Sequence, residues 1–418
     1  MKFSLLGLFF FLVLDAQAQV RLTATSQVTS PATAQPAVPM SRTYPSRVDA
    51  GGYVYVSGQG AERPDGSMSS KFEEQVRQAL DNVKMVVETA GLTMNHVVYM
   101  QVYLEDISNY QKLNRVSAQY FSETPPARAV LGVARVPQRG IEINAVAVRN
   151  LAGKRAVVPP RYRSTEPVSP GILTYDRLFV SGMLGRDPAT GRVPDEPALQ
   201  VDLALDGLEA VVEAAGLKLG HMVFVNPYLT NQIPGQVMNQ HYAKRFEFGN
   251  TPARATIEVS SLPDGAHVEY TGVAVRDLSQ RRAVRPRNMS PSPTASPCVF
   301  AGDTLYCSAK DGFTPGPNSG IYGATPSQQL RQTMRNLLDN LEEADMDFRQ
   351  VVATTVYLDD LSDTDAINRV YSEYFKGILP AQTTLQQIPS VERKPDAEES
   401  YPGLEQISLI AIRPKSNP

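Results

Sequence analysis

The chain has 418 residues, 42% of them apolar and 20% charged, and its 40 Lys+Arg against 43 Asp+Glu leave a net charge of −3. That is more than one ordinary domain, globular rather than disordered in composition, and without the basic excess of a nucleic-acid binder. Two cysteines and four scattered histidines exclude a multi-cysteine zinc framework, and no run of 18 apolar residues offers a membrane span. The first element is an address. Met1-Lys2 is followed by the apolar run Phe3 to Leu14 and by Ala16-Gln17-Ala18, the layout of a signal peptide cleaved before Gln19. Residues 1–18 are therefore expected to be removed and the protein exported, periplasmic or extracellular. Residues 19–40, rich in Ser, Thr, Ala and Pro, read as a flexible leader.

The remainder of the chain is one unit written three times. VYVSGQ (54–59) recurs as LFVSGM (178–183) and LYCSAK (305–310), and LDNVKMVVETAGL (80–92) as LDGLEAVVEAAGL (205–217) and LDNLEEADM (338–346). LNRVSAQYF (113–121), MNQHYAKRF (238–246) and INRVYSEYF (367–375) correspond, as do TPPARAVLGVARVP (124–137), TPARATIEVSSLP (251–263) and LPAQTTLQQIP (379–389). Ser57, Ser181 and Ser308 stand 124 and 127 residues apart, a domain-sized period far beyond that of a solenoid. We read domains at 41–150, 169–277 and 295–414, joined by basic, Pro-rich linkers at 151–168 and 278–294.

Each unit has the order ββ-α-β-α-ββ. A hairpin ends at the Ser. In the first unit Phe72, Val76, Leu80, Val83, Val87 and Ala90 then recur at three and four, which is an amphipathic helix. Ser70 with Glu73 predicts a capping box at its start and Gly91 a stop. Thr325, Pro326 and Gln328 predict the equivalent start in the third unit. A strand at 97–104, a second helix around Asn114 and two closing strands complete the unit. The GPNSG run at 316–320 falls in a turn of the third unit. Helices on one face of a sheet leave its other face to be covered, so three such sheets are expected to pack together. In the third hairpin, Gly302-Asp303 is the turn. Counting outward makes Cys298 and Cys307 a non-hydrogen-bonded pair about 4.5 Å apart at Cα, within reach of a disulfide. The alternative is two packed thiols.

In combination and order, the V-S-G strand end, the LDN-VVE-AGL helix, the Asn-bearing second helix, the P-A-R strand and the closing A-V-A-V-R resemble the RidA (reactive intermediate deaminase A, or YjgF) family. The resemblance implies an α+β fold like chorismate mutase, and a trimer with clefts between subunits. A single chain would thus form a monomeric pseudo-trimer. The implied reaction is hydrolysis of 2-imino or enamine acids to 2-keto acids and ammonia, on a small carboxylate-bearing substrate and with no cofactor or metal.

The family's site positions carry over unevenly. The carboxylate-binding Arg matches Arg128 and Arg254, but Gln382 stands in the third unit. The water-positioning Glu matches Glu142 and Glu269, but the third unit has Gln406, with Glu405 one place off and turned to the other face. Substrate contacts are further implied for Ser57, Ser181, Asn114, Asn239 and Tyr44, whose equivalents are Val168 and Ala295. The Cys frequent two residues after the Arg is Val130 or Thr256 here. For Ser308 and Asn368 a structural role is expected. The residue types suit the chemistry: a guanidinium fork grips a carboxylate, and a carboxylate acts as general base on water. Without the resemblance, the same Arg reads as a surface or ion-pair residue and the Ser as a turn residue. A binding or scaffold protein without turnover is the alternative function, and a hydrolase of another C=N or amide bond is a weaker one. If Arg and Glu of a cleft share a unit, two clefts are complete. If they come from neighbouring units, one is complete and two hold half a pair.

Overall fold

The computed structural model describes residues 44–121, 124–160, 166–287, 289–316, 320–377, 379–389 and 391–414, so the signal segment, most of the leader and part of the GPNSG run lie outside the described residues. The first unit runs β1 (Arg47–Ala50), β2 (Tyr53–Gly60), α1 (Phe72–Thr89), β3 (Val97–Leu104), α2 (Tyr110–Ser117), β4 (Ala127–Gly132) and β5 (Ile141–Val148). Its strands lie in the order β1-β2-β5-β3-β4. Only β3 and β4 are parallel, joined by a crossover through α2. The helix α1 buries Val76, Leu80, Val83 and Val87 against the sheet, the face its three-and-four spacing demands.

The second unit adds β6 (Arg155–Val157), β7 (Gly171–Leu173), β8 (Arg177–Leu184), α3 (Pro197–Ala214), β9 (Met222–Leu229), α4 (Gly235–Ala243), β10 (Ala253–Arg254), β11 (Ile257–Glu258) and β12 (Val268–Val275). The third adds β13 (Arg281–Val284), β14 (Cys298–Ala301), β15 (Thr304–Asp311), the small hairpin β16 (Phe313–Thr314) and β17 (Ile321–Tyr322), α5 (Pro326–Glu342), β18 (Val351–Leu358), α6 (Thr364–Tyr374), β19 (Ala381–Gln386) and β20 (Glu405–Ile412). Both keep the first sheet's order, extended at one edge. That extension corrects the linker reading. Part of each basic stretch is a strand, β6 on β7 and β13 on β14, anchored by the buried Val157 and Val284. An unpaired sheet edge offers a row of hydrogen-bonding groups to any chain lying beside it.

The helix-free faces of the three sheets meet each other. Tyr53, Tyr55 and Val98 pack with Ile172, Phe179 and Val223 and with Val299, Tyr306 and Val352. Tyr103, Tyr228 and Tyr357 hold equivalent places in a second shared cluster. Some polar tips in this interior are paired across sheets: Gln101 Nε2 donates to the Tyr228 hydroxyl and Asn144 Nδ2 to Thr383 Oγ1. The chain is thus an intramolecular pseudo-trimer, closed in a ring. Arg128 of β4 donates its backbone N–H to Ser181 of β8, Arg254 of β10 donates to Ser308 of β15, and Gln382 of β19 donates to Ser57 of β2.

Local details agree with the sequence unevenly. Cys298 and Cys307 face each other across β14 and β15, Cα atoms 4.0 Å apart, and their sulfurs are bonded. The Thr325–Gln328 capping box forms, with Thr325 Oγ1 accepting from Gln328 N–H at 3.3 Å. The Ser70–Glu73 box does not. The helix starts at Phe72, and Ser69 instead accepts from Lys71 N–H while Gln75 Nε2 reaches back to the Ser69 carbonyl. Among the described residues no helix is long and apolar enough to cross a membrane.

Glu405 faces α5, as its strand position predicts. It is buried, Thr333 Oγ1 donates to its Oε1 at 2.5 Å, and its Oε2 makes no hydrogen bond. Burial pushes its carboxyl up to about 8, partly offset by the Thr333 bond, with Asp311 adding to the rise. A raised carboxyl holds its proton in the folded state after the unfolded chain has lost it. This contribution to stability is therefore full below about pH 4.5 and is lost as pH rises through about 8. Glu405→Gln should raise stability at pH 8.5 by roughly 3 kcal/mol and change it little at pH 4.5, read from denaturant melts. A lower stability of the variant at pH 8.5 would contradict this.

Candidate active site

In each sheet the Ser-Gly or Ser-Ala pair is a β-bulge. Register breaks between Val56 and Gln59, between Val180 and Met183, and between Cys307 and Lys310. A bulge re-aims the side chains beside it. Here it brings the serine against the neighbouring unit and opens room for the acid on the closing strand. A Cβ on Gly182 would lie 1.9 Å from Glu269 Oε1, and one on Gly58 would lie 1.9 Å from Glu142 Oε1. The glycine is therefore steric: only a residue with no side chain leaves space for the carboxylate. In the third unit the place is taken by Ala309, and the acid by Gln406, which pairs with Asp311 as Glu142 does with Gly60 and Glu269 with Leu184.

Because each unit's β4-like strand lies against the next unit's bulge, every cleft combines an Arg position from one unit with an acid position from the next. Between the first and second units stand Arg128 and Glu269, both buried, at 4% and 2% exposure. Between the second and third stand Arg254 and Gln406. Between the third and first stand Gln382 and Glu142. The neighbouring-unit arrangement holds, with one cleft complete and two carrying half a pair.

In the complete cleft Asn114 Oδ1 accepts from Arg128 Nη2 at 2.5 Å, and the Tyr110 ring lies 5.9 Å from the guanidinium carbon. Tyr110 in turn donates to Glu166 Oε2 at 2.5 Å. Arg128 Nη1 and Glu269 Oε1 are both buried and hydrogen-bond to no protein atom. Burial pushes the Glu269 carboxyl up to about 8. The Arg128 charge and a hydrogen bond from the Val130 backbone oppose the rise, and Glu166 adds to it. A group poised near neutral pH between a cation and a second carboxylate can both give and take a proton.

The other predicted residues divide clearly. Asn114 and Asn239 both hold their own unit's arginine; Asn239 Oδ1 accepts from Arg254 Nη1 at 2.8 Å. Ser57, Ser181 and Ser308, the first two expected to contact substrate, give their single hydroxyl hydrogen to the carbonyls of Pro45, Ser169 and Ser296, each at 2.6 Å. One of the two lone pairs on each oxygen accepts the neighbouring unit's N–H, so they fasten units together and fix the arginine's strand. Tyr44 lies within electrostatic reach of Tyr371, in the cleft that has Gln382 rather than an arginine. Tyr110 and Glu166 escaped the sequence reading. Glu166 sits in the stretch read as linker, and Tyr110 has no counterpart at Gly235 or Thr364. Among the described residues no group of three or more metal-ligating side chains gathers.

Comparison with known proteins respects the same division into units. The family model described as Endoribonuclease L-PSP matches residues 35–149, 160–276 and 288–394. A RutC family protein of Pyrococcus horikoshii is 36% identical over 109 residues, 25% of this chain and 86% of its own. The 2-iminobutanoate/2-iminopropanoate deaminase of Escherichia coli K12 is 39% identical over 111 residues, 25% of this chain and 87% of its own. Among solved structures, E. coli TdcF with bound serine is 34% identical with a TM-score of 0.27, covering 28% of this chain and 97% of that one.

Proposed function

The chain belongs to the RidA family, whose model matches it three times, and from that premise we propose that it hydrolyses small 2-imino acids and their enamine tautomers in the cleft between its first and second units. One observation carries the reading: Arg128 and Glu269 come from different units into one buried cleft, each with a polar atom that no protein group satisfies. Buried polar atoms without partners cost about 1–3 kcal/mol each, so such a pair is suited to a ligand with an anion at one end and a protonatable nitrogen near the other.

The net reaction is imine plus water to ketone plus ammonia. Arg128 Nη1 grips the substrate carboxylate, with Nη2 held by Asn114 and the aromatic face of Tyr110 beneath. Protonated Glu269 gives its proton to the imine nitrogen, which makes C2 electrophilic. The resulting carboxylate takes a proton from the water that adds to C2. It then passes that proton to the nitrogen of the carbinolamine, the C–N bond breaks as the C=O forms, and the proton left on the new carbonyl oxygen returns to Glu269. Acid–base help of this kind is worth roughly 10²–10⁴-fold. The net charge of −3 offers no attraction to a polyanion, which disfavours RNA cleavage for this chain.

The test is keto acid and ammonia release from freshly generated 2-iminopropanoate. The full chain should accelerate it, and Glu269→Gln should lose about 100-fold or more. Equal rates for the two would reject the mechanism, and no acceleration with intact pyruvate binding would favour the binding-protein reading. We also propose export, supported by residues 1–18 and by a bonded Cys298–Cys307 pair that suits an oxidising compartment. A mature chain that begins at Met1 would refute it.

A further inference from the structure

We propose that the interior of the pseudo-trimer, on the axis where the three sheets meet, is a binding site for one small neutral phenol stacked on Tyr55. The site is separate from the clefts and needs no hydrolysis anywhere in the molecule. A cavity of about 110 Å³ lies there. Apolar cavities of about 150 Å³ take up a benzene ring, so this one has room for a single ring and no more. Among the described residues no charged side chain lines it. Buried side chains close both ends of the axis. Tyr103, Tyr228 and Tyr357 stand at one end. At the other, Arg177 donates from Nη2 to Thr304 Oγ1 at 2.6 Å and from Nη1 to the Tyr306 hydroxyl at 2.9 Å, its guanidinium carbon 4.5 Å from the Tyr53 ring centroid.

The cavity is the imprint of a missing side chain. Tyr99, Phe224 and Ala353 are the third residues of β3, β9 and β18, and Tyr55, Phe179 and Tyr306 the third residues of β2, β8 and β15. At two unit boundaries these positions stack. Tyr99 lies on Phe179 of the next unit, centroids 6.2 Å apart and planes 25° apart, and Phe224 lies on Tyr306 at 5.9 Å and 29°. At the third boundary the counterpart facing Tyr55 is Ala353, which has no ring, and both residues line the cavity. Among the described residues Tyr55 stacks on no other ring, and its hydroxyl, buried near Arg177, makes no hydrogen bond. Two places further along β18, Thr355 is likewise shorter than Gln101 and Asn226. The third unit thus leaves space that the other two fill.

The filled boundaries define the guest. Aromatic pairs settle with centroids about 4.5–7 Å apart, the spacing both existing stacks adopt. Tyr99 also carries its hydroxyl to Thr271 Oγ1, 3.0 Å away. Thr271 is the fourth residue of β12, and its counterpart in the first unit is Asn144, the fourth of β5, which reaches the third unit at Thr383 and lines the cavity. A free phenol in the place of the absent tyrosine side chain therefore stacks on Tyr55 and offers its hydroxyl to Asn144. A charged ring would carry its charge into a site with no charged wall. Water needs two to four polar partners and meets a ring face on this side. A guest that completes the packing of three units binds only the folded chain, and so stabilises it by mass action.

The experiment is calorimetric titration of phenol into the full chain, with the melting temperature followed alongside. One phenol per chain should bind, and the melting temperature should rise with phenol concentration. Cyclohexanol, with the same hydroxyl on a ring that has no aromatic face, should bind several-fold more weakly. Ala353→Phe, which supplies the ring found at Phe224, should abolish both the binding and the rise. Ala353→Val, a smaller addition that serves where the Phe variant fails to fold, should weaken binding several-fold. Arg128→Ala should leave binding unchanged. No phenol binding to the unaltered chain overturns the proposal and leaves the interior to water. So does binding that neither Ala353 substitution moves, equal binding of cyclohexanol, or loss of binding in Arg128→Ala, which would put the phenol in the cleft. None of these results depends on turnover, so failure here and failure of the hydrolytic reading are separable.

Discussion

Arg128→Ala is expected to lower kcat/KM for 2-iminopropanoate by about 100-fold or more, whereas Glu142→Gln leaves it within about twofold. Removing one member of a buried, hydrogen-bonded charge contact typically costs 2–5 kcal/mol, and each 1.36 kcal/mol is tenfold in rate. Two effects act together at Arg128. The substrate loses its carboxylate anchor, which raises KM. Glu269 loses the positive charge that opposes its burial, so its carboxyl moves further above about 8 and holds its proton more tightly. The alkaline side of the pH–rate profile should therefore move upward in Arg128→Ala, a change that mere loss of substrate grip would not produce. Combining Arg128→Ala with Glu269→Gln should cost little more than either alone, because the two act on one substrate in one cleft. Glu142 is chemically the same residue as Glu269, on the equivalent strand, over an equivalent glycine. It differs in facing Gln382 across its boundary. A large loss with Glu142→Gln would show that the third-to-first cleft turns over substrate without a cation, and the assignment of a single complete cleft would fall.

How far the sequence reveals this depends on whether the deciding contact is local. The helix α1, the ββ-α-β-α-ββ order and the Cys298–Cys307 pairing are set by spacings of two, three and four along one stretch of chain, and all three can be read directly. The opposite face of Glu405 follows from strand alternation alone. The partnership of Arg128 with Glu269 cannot be read this way. These residues are 141 apart, and the fold could equally have joined Arg128 to Glu142 in its own unit. What decides is the bond from Arg128 N–H to Ser181, an inter-unit contact with no local signature. The serines carry a role that their position alone does not reveal: each gives its hydrogen to a carbonyl 12 residues earlier and accepts the next unit's backbone N–H. Glu166 and the strands β6 and β13 were hidden for a compositional reason. Their surroundings are basic and Pro-rich, and three or four residues of strand carry too little periodicity to stand out.

The steric pairing of glycine with acid predicts a second catalytic cleft from two substitutions. In the Arg128→Ala background, Ala309→Gly with Gln406→Glu should restore turnover of 2-iminopropanoate at least tenfold above the parent variant. Arg254, Asn239 and Ser308 already stand as Arg128, Asn114 and Ser181 do, with the same hydrogen bonds: guanidinium to Asn Oδ1 and backbone N–H to Ser Oγ. The missing part is an acid over a residue with no Cβ. Gln406→Glu alone should fail, because the Ala309 methyl occupies the place where Gly182 leaves room for Glu269. Ala309→Gly alone should also fail, because an amide cannot exchange a proton with water. The gain should be non-additive, appearing only in the combined variant, and should vanish on adding Arg254→Ala. Recovery by Gln406→Glu alone would show that the glycine is not what admits the carboxylate. No recovery by the pair, in a protein that still binds pyruvate, would show that an Arg–Glu couple in this frame is insufficient and that Tyr110 and Glu166, which the second cleft lacks, are part of the working site.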